Sequence, residues 1–149
     1  MVLPPARFTS TSPDATLAHA GAMAAGFPHA LILLTGGMGA GKTLWTKGFA
    51  TGLGCPEHVT SPTFAVMNIY EAPGGPIHHL DLYRVGCLEE LIDIGLFEVL
   101  ERRFPCVIEW SERVPALAEL PHIAVRLDLP AVERPDERLI TWEERKPAT

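Results

Sequence analysis

The sequence has few cysteines, no long apolar run and no excess of positive charge. Its three cysteines, Cys55, Cys87 and Cys106, form no CxxC pair, which argues against a disulfide framework and against zinc-ligand spacing. No apolar stretch approaches the ~20 residues that a membrane span requires. The first twelve residues also lack the charged start and apolar run of a signal peptide. These absences predict a reduced, cytoplasmic protein without a membrane segment.

The charge balance is acidic, with 12 Lys and Arg against 18 Asp and Glu and a formal net charge of -6. A surface of this sign repels nucleic-acid phosphates at long range, which disfavours a protein that binds nucleic acid alone. The 149 residues, 47% of them hydrophobic, suit one globular domain with a real core. We therefore predict a single domain over residues 1–149, with loose tails at 1–11 and 146–149.

Strand-like and helix-like segments alternate along the chain, which is typical of an α/β sheet. A helix is predicted to begin at Ser12 and Pro13, because serine caps helix N-termini and proline suits the first helical position. Further helices are expected at 43–53, 88–92, 96–103 and 115–120. Strands are expected at 30–35, 64–70, 77–82, 106–110, 123–129 and 138–142. The predicted architecture is a P-loop NTPase fold: a central, largely parallel sheet flanked by helices, with antiparallel C-terminal strands.

A glycine-rich segment lies between the first predicted strand and the next helix. Gly36-x4-Gly41-Lys42-Thr43 matches the phosphate-binding P-loop in full, and its strand–loop–helix setting is the one that the motif requires. Backbone N–H groups and the helix N-terminus attract phosphate, the lysine reaches the β- and γ-phosphates, and the Thr43 hydroxyl ligates Mg²⁺. ATP with Mg²⁺ is the predicted ligand. The predicted contacts are Gly37, Met38, Gly39, Ala40, Gly41, Lys42, Thr43 and Leu44.

Two carboxylates are candidates for the second half of a phosphate site. Glu109 and Asp81 each end a hydrophobic strand, and a strand-end carboxylate commonly holds the Mg²⁺ of a P-loop enzyme. The residues alone leave open which of the two contacts the metal directly. His79 shares a strand face with Asp81, so it is a candidate lining residue or a structural histidine. Trp110 is either a packing residue, which we favour, or a wall of the site.

Several ordered motifs together resemble one known family. They are the P-loop, the segments TSPTF at 60–64 and HLDLYR at 79–84, the pair Glu89-Glu90 with Gly95, and VIEW at 107–110. This set is similar to the TsaE (YjeE) family of small bacterial P-loop ATPases. The resemblance extends over most of the chain and implies a role in placing a threonylcarbamoyl group on tRNA adenosine. It also implies an ATPase that is weak alone, is stimulated by the TsaB–TsaD heterodimer, and contacts tRNA only through that complex.

The resemblance also assigns roles to individual residues. It implies that Lys42 holds phosphate, that Thr43 and Glu109 hold Mg²⁺, and that Asp81 acts on the attacking water. The predicted catalytic residues are therefore Asp81, Glu109 and Lys42. Ser61 and Thr63 lie in a switch-like segment that is expected to respond to the γ-phosphate. One departure is Gly37, where the family often has an acidic residue, and we expect phosphate binding to survive with a looser loop.

Alternative functions remain open on the sequence. A small-molecule kinase could use the same P-loop, but Arg84, Arg102 and Arg103 lie in no obvious lid segment. A GTPase-like switch would need an Asn-Lys-x-Asp guanine-reading segment, which the sequence lacks. A scaffold with an inactive P-loop is the third alternative. The ATPase interpretation explains the P-loop and both carboxylates together.

Overall fold

A mixed β-sheet with helices on both faces forms the framework of the chain. The computed structural model describes residues 2–56, 58–62, 66–130 and 133–146. Across these residues the strands are β1 Arg7–Ser10, β2 Leu31–Thr35, β3 Met67–Tyr70, β4 Ile77–Asp81, β5 Cys106–Glu109, β6 His122–Asp128 and β7 Arg138–Arg145. The helices are α1 Pro13–Gly26, α2 Lys42–Gly52, α3 Leu88–Asp93 and α4 Leu96–Glu101, followed by short 3-10 helices at Ser111–Arg113 and Pro115–Glu119.

The strands lie in the order β1-β7-β6-β2-β5-β4-β3. The four central strands, β6, β2, β5 and β4, are parallel, whereas β3, β7 and β1 pair antiparallel at the two edges. This arrangement confirms the predicted fold class, including the antiparallel C-terminal strands. The carboxyl ends of the parallel strands share one edge of the sheet, where ligands bind in open α/β folds.

The N-terminal stretch corrects one prediction. Residues 7–10 form β1, in which Phe8 is in register with Ile140 of β7, so the tail predicted for 1–11 is not loose there. The indole of Trp142 also donates to the Pro4 carbonyl at 3.1 Å. The strand has four residues and no clear alternation, and its partner lies about 130 residues away, so no local pattern reveals it. At the other end, residues 147–149 lie outside the described part of the chain.

Most other elements match the predicted ones, with shifted ends. Ser12 caps α1 by accepting a hydrogen bond from the Ala15 N–H at 3.1 Å, as predicted. Helix α4 ends at Glu101 instead of extending to residue 103, and Arg103 has a φ of 57°. Strand β5 ends at Glu109, and Trp110 turns out of the strand with a φ of 60°. The predicted strand 64–70 begins at Met67, and its first two residues lie outside the described residues.

Helices α1 and α2 pack closely against each other and cover one face of the sheet. A Cβ atom added to Gly48 of α2 would lie 2.5 Å from the Leu17 carbonyl oxygen of α1, so only glycine allows this approach. Met23, Trp45 and Phe49 fill the core between these helices and the sheet, while Leu91 and Leu96 pack on the opposite face. Strand β2 contributes to both cores, which fixes the start of the P-loop.

In the part of the chain that the structure describes, no helix combines the length and hydropathy of a membrane span.

Candidate functional site

The P-loop connects the carboxyl end of β2 to the N-terminus of α2. Gly41 is the N-cap of α2 and has a φ of 99°, a conformation that residues with side chains rarely adopt. At the other end of the loop, a Cβ atom on Gly36 would lie 2.6 Å from the Leu127 carbonyl oxygen of β6. Glycine is therefore required at both ends of the turn. The turn leads directly into a helix N-terminus, where backbone N–H groups favour an anion.

A cleft of about 270 Å³ lies over this loop. Its walls come from the P-loop, the 60–62 segment and the ends of β4 and β5. They are formed by Met38, Gly39, Ala40, Gly41, Lys42, Thr43, Leu44, Ser61, Asp81, Glu109 and Trp110. The structure thus brings nearly all the predicted site residues together. Gly37 lies in the loop without lining the cleft, and Thr63 lies outside the described residues.

Lys42 is held inside the cleft by two contacts. Its side chain is 7% exposed, and its Nζ donates a hydrogen bond to the Gly36 carbonyl at 2.7 Å. The same ammonium lies 3.5 Å from the centroid of the Trp110 ring, a cation–π contact. Burial lowers the pKa of Lys42, and the nearby carboxylates of Glu109, Glu112 and Asp81 act in the opposite direction. Trp110 packs against the core, as favoured from the sequence, and it also forms a wall of the cleft.

The two candidate carboxylates sit side by side on neighbouring strands. Asp81 of β4 is in register with Glu109 of β5, so both side chains leave the same face at the same edge. The Asp81 carboxylate accepts hydrogen bonds from the Ser61 hydroxyl at 3.3 Å and from the Tyr83 N–H at 2.9 Å. Glu109 is 3% exposed, which makes it the more deeply buried of the pair.

A chain of hydrogen bonds supports Glu109 from behind. Its Oε2 lies 2.5 Å from Nε2 of His79, and Nδ1 of His79 lies 3.0 Å from the Tyr70 hydroxyl. Tyr70 in turn donates to the Thr60 carbonyl at 2.8 Å. Because the Tyr70 hydroxyl donates its proton to Thr60, the Nδ1–H of His79 donates to the Tyr70 oxygen, and the Nε2 of His79 is left to face the Glu109 carboxylate. Glu109, a candidate metal ligand, is thereby connected to the 60–62 segment, which also carries Ser61.

The structure decides between the two interpretations of His79 and gives a role to Tyr70. His79 is fully buried and positions Glu109, so the structural alternative for this histidine is correct and the lining alternative is wrong. Sequence reasoning missed Tyr70 altogether. Its position opposite Ile77, at the turn of the predicted hairpin, places it near β4. The predicted hairpin was the only sequence feature that pointed to Tyr70, because nothing in the sequence specifies that its hydroxyl contacts His79.

The adjacent histidine pair offers a matched test of this support. We expect His79→Leu to lower the free energy of unfolding by about 3 kcal/mol, because it leaves the buried Glu109 without its partner. His78→Leu is the control: His78 is 5% exposed and stacks on Phe104, and its Nδ1 has no hydrogen-bond partner among the described residues. Urea denaturation of both variants measures the difference. Equal losses would show that Glu109 does not depend on His79.

The donors at the cleft fit a hard divalent cation. Among the described residues no group of three or more His, Cys, Asp or Glu side chains could hold a metal ion by itself. Mg²⁺ does not require such a cage, because it typically takes one or two carboxylates, substrate phosphate oxygens and water. Thr43 and Glu109 lie in the same cleft and supply a hydroxyl and a carboxylate. These residues therefore fit the group that the sequence implies.

A larger groove of about 540 Å³ lies elsewhere, along β6 and β7. It contains none of the P-loop residues, and three of its charged side chains, Arg126, Glu143 and Arg145, are paired along their own strands. Arg126 bonds Asp128 at 2.9 Å, and Arg145 bonds Glu143. The smaller cleft is the one in which helix N-terminus, lysine and carboxylates converge, so size does not identify the functional site here.

Comparison with known proteins identifies the family. A model of the family described as threonylcarbamoyl adenosine biosynthesis protein TsaE matches residues 10–140. This chain belongs to the TsaE family. The resemblance inferred from the five motifs is thus confirmed, and TsaE membership applies to the domain that carries the cleft.

Curated relatives and a solved structure agree with this TsaE assignment. The tRNA threonylcarbamoyladenosine biosynthesis protein TsaE of Bacillus subtilis is 35% identical over 137 residues, covering 91% of this chain and 84% of its own length. The TsaE protein of Treponema pallidum is 42% identical over 99 residues, 66% of this chain and 71% of its own. The crystal structure of Bacillus subtilis YdiB superposes with a TM-score of 0.63 at 28% identity, covering 91% of this chain and 82% of that one.

Proposed function

We propose that this protein is the ATPase subunit of the bacterial tRNA threonylcarbamoyladenosine modification system. In this role it binds and hydrolyses MgATP in the cytoplasm and drives the cycle of the TsaB–TsaD transferase. The observation that carries the proposal is the convergence of Lys42, Thr43, Asp81 and Glu109 on one cleft, in a chain of the TsaE family. The net charge of -6 supports contact with tRNA through the complex alone.

Each residue has a distinct part in the proposed hydrolysis. Lys42 and the N–H groups of the P-loop bind the phosphates, and Thr43 and Glu109 hold Mg²⁺. The metal neutralises charge on the phosphate oxygens when it is bound. Asp81 orients the attacking water, and its own position is set by hydrogen bonds from Ser61 and Tyr83. His79 keeps Glu109 in place without touching the cleft.

The same contacts suggest how nucleotide state reaches a partner. Ser61 bonds Asp81, and the Thr60 carbonyl accepts from Tyr70, so the 60–62 segment is linked to both carboxylates. A change at the γ-phosphate that moves either carboxylate would also move this segment. We propose that TsaB–TsaD senses this movement, which would couple ATP hydrolysis to the transferase cycle.

The kinase alternative finds no support at the cleft. None of the described residues that line it is an arginine, and Arg103 lines a separate groove with Phe27 and Lys146. Kinases use cationic side chains to hold the transferring phosphoryl group and a lid to exclude water. The side chains available at this cleft suit hydrolysis better than transfer to a small acceptor.

An ATPase assay with reconstituted partners tests the proposal. We expect slow phosphate release by the protein alone and at least a roughly tenfold faster release after TsaB–TsaD is added, as partner-supplied groups complete such sites. Co-purification with TsaB–TsaD should depend on the nucleotide present. No association under any nucleotide condition would overturn the pathway assignment, and phosphate transfer to a small acceptor in place of release would overturn the ATPase assignment.

A further inference from the structure

A single arginine from the far end of the chain is hydrogen-bonded to the P-loop. Arg138 begins β7, 98 residues after Ala40, and its Nε donates to the Ala40 carbonyl at 3.0 Å. Its Nη2 donates to the Gly39 carbonyl at 3.2 Å. The remaining terminal nitrogen, Nη1, donates to the carbonyls of Pro135 at 2.5 Å and Glu137 at 2.8 Å. The guanidinium thus binds four backbone carbonyls, two of them in the P-loop.

These two bonds control the orientation of P-loop peptide groups. The carbonyl of Ala40 and the N–H of Gly41 belong to one planar trans peptide, so they point in opposite directions. A donor fixed on the carbonyl therefore fixes the direction of the N–H. Gly39 and Gly41 have φ values of 77° and 99°, and glycine peptides rotate more freely than others. Hydrogen bonds from outside the loop are consequently needed more to fix the peptide orientations of residues 39–41 than they would be between bulkier residues.

The charge of the guanidinium adds a second effect. A cationic donor on a carbonyl polarises the whole peptide group, which makes the N–H at its other end a stronger donor. Arg138 is not among the residues that line the cleft, and both of its bonds to the loop are made to backbone carbonyls. It also ties the P-loop to the turn before β7 through Pro135 and Glu137.

We propose that Arg138 is a positioning residue for the P-loop. It sets the peptide planes of residues 39–41 and strengthens their N–H groups, so that the loop binds the phosphates of a nucleotide more tightly. This inference rests on the proposed function, because it assumes that the P-loop binds ATP.

The primary test compares Arg138→Met with Arg145→Met, a control at the other end of the same strand. We expect Arg138→Met to raise the Kd for MgATP about tenfold, the effect of one hydrogen bond to a charged group. KM for ATP should rise by the same factor, whereas kcat should change less than about twofold. The reason is that the loop binds the phosphates equally in the ground state and in the transition state. Arg145→Met should leave both constants unchanged. Equal affinities of Arg138→Met and wild type would overturn the proposal.

A spectroscopic measurement separates this proposal from the proposed function. The Gly41 amide signal in the ¹H–¹⁵N spectrum of the nucleotide-free protein should shift upfield in Arg138→Met, because its peptide loses a cationic partner. Arg138→Lys keeps the charge but not the planar fork, so it should show the same shift at smaller amplitude even if Arg138→Met fails to fold. A Gly41 signal that does not move overturns the positioning role of Arg138. A wild-type protein without ATP affinity but with this shift overturns only the ATPase assignment.

Discussion

Replacing Lys42 with alanine should abolish measurable ATP binding. The Lys42 ammonium already lies in the cleft, largely removed from water and 2.7 Å from the Gly36 carbonyl, so binding phosphate costs little further desolvation. Charge-assisted hydrogen bonds from such a group contribute about 1.5–3 kcal/mol each, and contacts to two phosphates give a loss of affinity of roughly hundredfold or more. Isothermal titration calorimetry with MgATP measures it.

Lys47→Ala provides the matched control for this variant. Lys47 lies in the same helix but is exposed and does not line the cleft, so its removal changes the net charge equally without touching the phosphate site. ATP affinity should therefore remain within about twofold of wild type, since a surface charge contributes little. If Lys42→Ala bound ATP as tightly as Lys47→Ala, the P-loop would not be the nucleotide site.

Replacing Glu109 with alanine should reduce Mg²⁺-dependent ATP turnover by roughly hundredfold or more. Losing a charged metal ligand costs several kcal/mol of transition-state stabilisation, and about 2.7 kcal/mol already corresponds to a factor of 100. The required Mg²⁺ concentration should rise in parallel, whereas metal-free ATP binding should change little. Steady-state hydrolysis across a Mg²⁺ titration measures both effects, and chelation with EDTA should reduce the wild type to the level of the variant.

Two further variants isolate the charge of Glu109. Glu109→Gln keeps the size of the side chain and a polar partner for His79 but removes the negative charge, so it should lose turnover without losing the fold. Glu112→Gln removes an exposed carboxylate only three residues away that also acts electrostatically on Lys42. Turnover in Glu112→Gln should stay close to wild type. Normal hydrolysis in Glu109→Gln would exclude Glu109 as the metal ligand.

The parts of the site that the sequence predicts are those encoded by neighbouring residues. Gly36 to Thr43 form a loop whose geometry depends on local glycines and a following helix, so the motif specifies the shape directly. Asp81 and Glu109 are predictable because a parallel sheet brings the carboxyl ends of adjacent strands to one edge. The confirmed fold class follows from the same alternation of strands and helices.

The parts that the sequence does not predict depend on pairing between distant segments. Strand β1 is recognisable only from its register with β7. In the sequence, Arg138 is an ordinary polar residue at the start of a predicted strand, and nothing indicates its hydrogen bond to Ala40. Tyr70 binds His79 only because the β3–β4 hairpin has this particular register. One residue of slippage would turn Tyr70 to the other face of the sheet, and no pattern within either strand fixes that register.

The contact between Lys42 and Trp110 has a kinetic consequence. An ammonium that rests on an indole must leave it before it can bind phosphate, so nucleotide capture is an exchange of partners. A cation–π contact of about 0.5–2 kcal/mol leaves the lysine free in roughly one molecule in three to one in thirty. Because side-chain rearrangement is much faster than association, the association rate constant would be reduced to that same fraction of the value for a lysine free of Trp110.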